Sequence, residues 1–175
     1  MTAGQNDGVR VCFVCSGNIC RSPTAEVVLA AKLREAGLGE VVVDSAGTGD
    51  WHVGEDMDPR SRATLVAHGY DWPRHEAKQF TAADFASRDL VVALDAGHVR
   101  RLRDLADDAD DPDDARAKIV LLRSYDSSAG AEPDVLDPYY GDSDGFVEVL
   151  RQVEVACAGL LASVRADQQT PSPPS

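Results

Sequence analysis

Short apolar segments rich in valine, isoleucine and leucine alternate along this chain with longer segments of helical periodicity. The apolar segments predict buried strands at 9–15, 40–45, 89–95 and 117–122. The periodic segments predict helices at 22–37 and 58–69, after the third strand through residue 105, and at 142–166. Strands that alternate with helices favour a parallel sheet covered on both faces. The carboxyl ends of such strands are where ligands bind.

Length and charge restrict the organisation and the partners of the protein. The 175 residues are enough for one domain, which we predict at 9–166, between a flexible N-terminus (1–8) and a disordered tail (167–175). A net charge of −13 disfavours binding to nucleic acid or to anionic membranes. The first residues lack an apolar export signal, and the few cysteines predict a reducing cytoplasm.

Two charged segments lie between the third and fourth strands. The basic segment HVRRLR (98–103) is interpreted as the solvated face of a helix. The acidic segment DLADDADDPDD (104–114) is interpreted as a solvated connector, since it lacks the glycine and the ligand spacing of a calcium loop. Neither segment predicts a site.

Three of the four cysteines fall between Val11 and Val27, and three kinds of site could use them. A zinc site commonly takes two close pairs of ligands, whereas Cys12, Cys15 and Cys20 are irregularly spaced. A redox pair of Cys12 and Cys15 is disfavoured, because residues three apart in a strand point to opposite faces. The favoured interpretation is a single nucleophile, Cys15, at the end of the first strand, with Cys12 as a buried strand residue.

The segment that follows Cys15 (residues 15–22, the phosphate loop) has residue types suited to binding an anion. Gly17 and Asn18 tolerate left-handed backbone geometry, which lets successive N–H groups point inward. Ser22 suits the N-cap of the next helix, whose N-terminus attracts negative charge. Arg21 carries a planar guanidinium that can bind two phosphate oxygens. Together these features favour the Cys15 thiolate and predict a phosphate site.

These motifs resemble those of the low-molecular-weight protein tyrosine phosphatases. The matching segments are VCFVCSGNICRSPTAE, VDSAGTGDWHVGEDMDPRSRATLVAHG, HEAKQF and LDPYYGD, in the family's order. The resemblance implies a three-layer α/β fold of flavodoxin-like, phosphotyrosine phosphatase I type, with a four-stranded parallel sheet flanked by helices. It also implies hydrolysis of phosphotyrosine in tyrosine-phosphorylated proteins, with no metal or other cofactor. The oligomeric state stays open, with a monomer favoured.

The resemblance also implies roles for individual residues. Cys15 matches the nucleophile, Arg21 the phosphate clamp and Asp137 the general acid and base. Ser45 and His75, with Asn18, match residues that brace the phosphate loop. Ser22 also matches the hydroxyl that stabilises the thiolate. The implied substrate-binding residues are Ser16, Gly17, Asn18, Ile19, Cys20, Ser22, Trp51, Tyr139 and Tyr140.

Two positions stay open at this level. Asp134 lies in the same loop as Asp137 and is a rival general acid. The family often has Met-Asp-x-x-Asn after its third strand, whereas this chain has Asp95 with His98 in the place of the Asn. The contacts of Asp95 are therefore not predicted.

Two other functions could use the same loop. Arsenate reduction on this fold, in thioredoxin-coupled relatives, needs a further cysteine pair, and after Cys20 this chain has only Cys157, on an apolar helical stripe. A non-catalytic module that binds phosphorylated partners would not need Cys15, Arg21 and Asp137 together. Two roles are open for Cys20 itself: a reversible disulfide that protects Cys15 from over-oxidation, or simple packing.

Overall fold

A four-stranded parallel sheet forms the centre of the molecule. The structure is a computed structural model, and it describes residues 8–130, 133–139 and 141–169. The strands are β1 (Arg10–Cys15), β2 (Val42–Gly47), β3 (Leu90–Ala93) and β4 (Ile119–Leu121). Their order in the sheet is β2-β1-β3-β4, and all three neighbouring pairs are parallel. The predicted parallel sheet is thus confirmed, and β1 lies between two neighbours with its carboxyl end at Cys15.

Within the described residues, five α-helices connect and cover the strands. They are α1 (Arg21–Ala36), α2 (Pro59–Ala67), α3 (Ala96–Ala106), α4 (Pro112–Ala117) and α5 (Ser143–Gln169). Gly37 ends α1 in the left-handed conformation with φ 72°, as the sequence predicts for a helix that stops at a glycine. None of the described helices is both long and apolar enough to cross a membrane.

The structure corrects two predicted boundaries. The acidic segment 104–114 is not only a connector, because α4 begins within it: Asp111 caps this short helix by accepting a hydrogen bond from Asp114 N at 3.1 Å. Helix α5 continues to Gln169, so the predicted disordered tail (167–175) begins too early. The rest of that tail, from residue 170, and residues 1–7 of the predicted flexible N-terminus lie outside the described residues.

Side chains of β1 alternate between two hydrophobic clusters, as the two-residue period of a strand requires. Val11 and Phe13 pack in the cluster that α1 and α5 cover. Cys12 and Val14 pack in the opposite cluster, which α3 covers. All four side chains are fully buried. Helices therefore cover both faces of the sheet, which gives the three layers that the sequence implies.

Asp58 caps α2, and its carboxylate gives a testable effect on stability. It accepts hydrogen bonds from the backbone N–H of Arg60 at 2.8 Å and from the Arg60 guanidinium, which holds the pKa of Asp58 below its usual range. A lowered pKa in the folded state stabilises the fold above the unfolded pKa, and this stabilisation is lost as the pH falls through the folded pKa. We expect Asp58→Ala to lower the free energy of unfolding by about 1–2 kcal/mol at pH 7.

Urea unfolding at neutral pH and below about pH 4, where aspartate becomes protonated, checks this expectation. The difference between the wild type and Asp58→Ala should shrink at the lower pH. The control is Asp71→Ala, because Asp71 is exposed and lies outside the regular elements. A difference that is the same at both pH values would contradict a stabilising role for the charge of Asp58.

Candidate active site

The phosphate loop joins β1 to α1, and its carbonyl groups are held on its outer side. The carbonyls of Cys15, Ser16, Asn18 and Ile19 accept hydrogen bonds at 2.7–3.0 Å, from Thr48 N, Gly49 N, His75 Nε2 and Asp58 N respectively. Within a peptide unit the carbonyl and the following N–H point in opposite directions. The N–H groups that follow these carbonyls therefore face the inside of the loop, where they form a concave site for an anion.

Asn18 is the residue that turns the loop. Its φ of 59° is left-handed, which asparagine tolerates better than most residues. Its side chain donates to Ser22 Oγ at 2.9 Å and to Ser45 Oγ at 3.0 Å, and accepts from Lys78 N at 2.9 Å. His75 donates to the Asn18 carbonyl, and burial lowers the pKa of this imidazole. Ser45 and His75 thus contact the loop where the resemblance places its supports.

Gly17 lies directly against the His52 ring and does not supply a left-handed turn. Within the phosphate loop the positive φ falls on Asn18 and not on Gly17, so only Asn18 uses the left-handed geometry that the sequence allowed for both residues. A Cβ atom at Gly17 would lie 2.8 Å from Cδ2 of His52, which is too close. The sequence did not single out His52, although it follows Trp51 in the same loop and lines the same cleft.

The sequence suggested that Ser22 caps α1, but in the structure it does not. The helix begins at Arg21, with Cys20 in the capping position. The buried Ser22 hydroxyl instead lies 2.9 Å from Cys15 Sγ and accepts the hydrogen bond from Asn18. A hydroxyl beside a sulfur can donate a hydrogen bond to it and stabilise negative charge there. Its position therefore suits the stabilisation of a thiolate.

Arg21 is buried, and its guanidinium is fixed from one side. Its Nη1 donates to Asp95 Oδ2 at 2.8 Å and to the Val135 carbonyl at 3.2 Å. The bond from Arg21 gives Asp95 the contact that the sequence left open. Its Nη2 lies 3.6 Å from Asp137 Oδ2, at the edge of the cleft. Because Asp95 holds one nitrogen, the guanidinium can present its other donors to an anion in the loop.

The two candidate acids of the loop after β4 occupy different environments. Asp134 accepts a hydrogen bond from Ala96 N at 2.9 Å and so ties this loop to the start of α3. Asp137 is half-exposed, faces Arg21 and lines the cleft with Cys15. Its other oxygen accepts from Tyr139 N at 3.1 Å. The geometry therefore favours Asp137 over Asp134 as the group that meets a bound ligand.

A cleft of about 420 Å³ opens above the phosphate loop. It is lined by Cys15, Ser16, Gly17, Ile19, Cys20, Arg21, Trp51, His52, Asp137 and Tyr139. Trp51 is 68% exposed. The Arg60 guanidinium lies over the Tyr139 ring, with its Cζ atom 5.6 Å from the centre of that ring. Both rings therefore line the cleft, where the sequence predicts the walls of an aromatic slot. Tyr140, the other predicted wall, lies outside the described residues.

The four cysteines differ in their surroundings. Cys12 is buried in the cluster on the far face of the sheet, and burial raises its pKa. Cys157 is buried in α5. Cys20 lines the same cleft as Cys15, but burial and then the Asp58 carboxylate raise its pKa to about 12. Cys20 is therefore a neutral thiol at neutral pH, and a protective disulfide with Cys15 and simple packing both stay open as its role.

The sequence analysis did not predict two contacts, one of the phosphate loop and one of its support Ser45. His98, placed on a solvated helix face, is in fact buried, and its Nε2 lies 2.9 Å from Ser16 Oγ. The Asp-x-x-His spacing after β3 marked this position as a departure from the family but did not predict the contact. Ser45 donates to Glu26 Oε1 at 2.6 Å, and burial raises the pKa of that carboxyl. No sequence pattern pointed to Glu26, because it reads as an ordinary helix residue.

Fold and site together define a class of α/β proteins in which a cysteine ends the first strand beneath a cradle of N–H groups and one arginine. The family model for low molecular weight phosphotyrosine protein phosphatase matches residues 10–170. The chain therefore belongs to this family of protein-tyrosine phosphatases, as its motifs indicated.

Individual relatives agree with the family match. The low molecular weight protein-tyrosine-phosphatase of Streptomyces coelicolor is 58% identical over 158 residues, which cover 89% of this chain and 93% of that protein. Low molecular weight protein-tyrosine phosphatase A of Mycobacterium tuberculosis is 48% identical, covering 89% and 91%. A crystal structure of a protein tyrosine phosphatase from Entamoeba histolytica superimposes with a TM-score of 0.84 at 31% identity, covering 92% and 99%.

Proposed function

We propose that this protein hydrolyses phosphotyrosine in proteins, and aryl phosphates, through a phosphocysteine intermediate on Cys15. The observation that carries the proposal is the meeting of Cys15, Arg21 and Asp137 in one cleft above the inward-facing N–H groups. Nucleophile, clamp and acid are the three parts that the reaction needs. The names of the relatives support the phosphotyrosine phosphatase activity.

The first step forms a bond between Cys15 Sγ and phosphorus and breaks the bond between phosphorus and the phenolic oxygen. The thiolate attacks in line while Asp137 gives a proton to the leaving phenolate. In the second step water attacks the phosphocysteine, Asp137 takes the proton from that water, and Cys15 leaves as the thiolate. Phosphate is released, and the enzyme returns to its starting state.

The surrounding groups stabilise the charge that both steps develop. The loop N–H groups and the free side of Arg21 can bind the three equatorial oxygens of the transferring phosphoryl group. Since Arg21 is already held by Asp95 and Val135, little reorganisation is needed when the substrate arrives. The Ser22 hydroxyl lies beside Sγ, where it can stabilise the thiolate both as nucleophile and as leaving group.

The aromatic slot favours a phosphate carried on a phenyl ring. Trp51 and Tyr139 can contact the two faces of such a ring. A phosphate on serine or threonine sits on a shorter arm, which reaches less deeply into the cleft. The proposal further places the protein in the cytoplasm, where a reducing environment keeps the thiol of Cys15 free.

Release of phosphate from a phosphotyrosine peptide and from p-nitrophenyl phosphate, in the presence of EDTA, tests the proposal. A phosphoserine peptide of the same sequence is the control for the slot, and arsenate with thioredoxin tests the rival reductase. We expect turnover of the first two substrates only. Binding of the phosphotyrosine peptide without release of phosphate would instead indicate a non-catalytic binding module.

Ser22→Ala should slow catalysis without removing it. A hydrogen bond to a charged group contributes about 1.5–3 kcal/mol, so we expect kcat to fall about 10- to 100-fold. KM should change less, because the hydroxyl contacts sulfur rather than phosphate. Thr24→Val is the matched control: the Thr24 hydroxyl is buried in the same helix but donates to the Cys20 carbonyl at 2.7 Å. Equal losses of kcat in both variants would contradict the role of Ser22.

A further inference from the structure

We propose that His98 is a positioning residue that couples the phosphate loop to the carboxylate anchor of Arg21, by holding the Ser16 hydroxyl on one side and facing Asp95 on the other. The inference rests on the proposed function, because it concerns how the same cleft is kept ready for phosphate. It assigns a role to the position where the chain departs from the Asn expected by resemblance.

His98 lies between two groups of the site and is only 4% exposed. Its Nε2 is 2.9 Å from Ser16 Oγ, and its Nδ1 is 3.2 Å from Asp95 Oδ1. The other oxygen of Asp95 accepts from Arg21 at 2.8 Å. A continuous series of side chains therefore runs from Ser16 through His98 and Asp95 to Arg21. It joins the first residue after the nucleophile to the phosphate clamp.

The position of Asp95 decides which nitrogen of His98 carries the proton. A lone pair on Nδ1 facing a carboxylate oxygen at 3.2 Å would be repelled, whereas an N–H there is attracted. Among the described residues Nδ1 has no hydrogen bond of good geometry, so this attraction is mainly electrostatic. Burial lowers the pKa of His98 to about 4, so the ring is neutral at neutral pH. The proton therefore resides on Nδ1, and Nε2 is an acceptor.

An acceptor at Nε2 fixes the direction of the Ser16 hydroxyl. Ser16 donates its hydrogen to His98, away from the anion, while its carbonyl accepts from Gly49 N at 3.0 Å. The side chain and the carbonyl of Ser16 are thus both held from outside the loop. Loss of either contact frees this residue to rotate, which misaligns the adjacent N–H donors from phosphate.

A double-mutant cycle with inorganic phosphate as the probe tests the coupling. The variants are Ser16→Ala, His98→Asn and the double variant, and the readout is the Kd for phosphate from calorimetry, which does not require turnover. Each single variant should weaken binding by about 3- to 10-fold, the effect of one hydrogen bond. The double variant should be no weaker than the worse single variant. Effects that multiply would overturn the proposal, because independent residues add in free energy.

His98→Gln supplies the conservative comparison. The terminal group of glutamine reaches the place of Nε2 and can still accept from Ser16, whereas asparagine reaches only the place of Nδ1. Glutamine should therefore restore most of the phosphate affinity that asparagine loses. Equal losses for the two variants, or no loss in either, would overturn the role of His98, since a merely structural site would not distinguish them.

The tautomer gives a measurement on the wild type that does not depend on any variant folding. Nitrogen-15 NMR of the labelled protein should show His98 as a neutral ring protonated on Nδ1, and a proton on Nε2 would overturn the proposal. The two proposals can fail separately. If the wild type binds phosphate but releases none from p-nitrophenyl phosphate, the proposed reaction is wrong, and the cycle and the tautomer still decide the role of His98.

Discussion

Cys15→Ser is expected to lower kcat for p-nitrophenyl phosphate by at least about 10⁴-fold, as loss of a catalytic nucleophile does in other enzymes. The reason is chemical, because a serine hydroxyl in this loop is un-ionised and a weak nucleophile. The loop N–H groups and Arg21 stay in place, so inorganic phosphate should still bind. Steady-state kinetics and calorimetry on the same preparation measure the two properties.

The control for this substitution is another buried thiol of the chain. Cys157 lies in α5, and its Sγ is 4.0 Å from the Ala25 carbonyl, away from the residues that line the cleft. Cys157→Ala should keep its kcat and lose only about 1 kcal/mol of stability. Mass spectrometry of an acid-quenched wild-type reaction should locate phosphate on the peptide that contains Cys15. A Cys15→Ser variant with near wild-type kcat would show that another group is the nucleophile.

Much of the architecture could be predicted from the sequence, because each element has a local signature. The β-branched segments predicted the strands, and Gly37 predicted the end of α1. The alternation of Cys12 and Cys15 across β1 followed from the period of a strand, and the structure places them in opposite clusters. Such features depend on neighbours in the chain, so a pattern can show them.

The features that the sequence did not give are contacts between distant segments. Ser22 is a good capping residue by type, but its hydroxyl is used by Cys15 and Asn18. Gly17 was explained by its backbone freedom, whereas in the structure it lies close to the His52 ring. Nor could the basic segment 98–103 reveal that His98 turns inward to Ser16. Each depends on which side chain folding brings near, and local propensity does not contain that information.

Asp137 is expected to matter most for substrates whose leaving group needs a proton. Asp137→Asn keeps the size of the side chain but cannot supply the proton, and general acids contribute about 10²- to 10⁴-fold. We expect this loss in kcat/KM for a phosphotyrosine peptide, and a much smaller loss for p-nitrophenyl phosphate, whose phenolate leaves unaided. The ratio kcat/KM is the right quantity, since it reports the steps through the first bond cleavage and excludes hydrolysis of the phosphocysteine.

A series of aryl phosphates with increasingly basic leaving groups makes the comparison quantitative. For Asp137→Asn the loss in kcat/KM relative to the wild type should grow along the series, because unprotonated phenolates of higher pKa leave more slowly. The matched control is Asp134→Asn, three residues earlier in the same loop, whose carboxylate bonds to Ala96 N instead of facing Arg21. The loss in kcat/KM for Asp134→Asn should be small and the same for every leaving group. If Asp134→Asn showed the slope and Asp137→Asn did not, the acid would be Asp134, and the loop would have to turn when substrate binds.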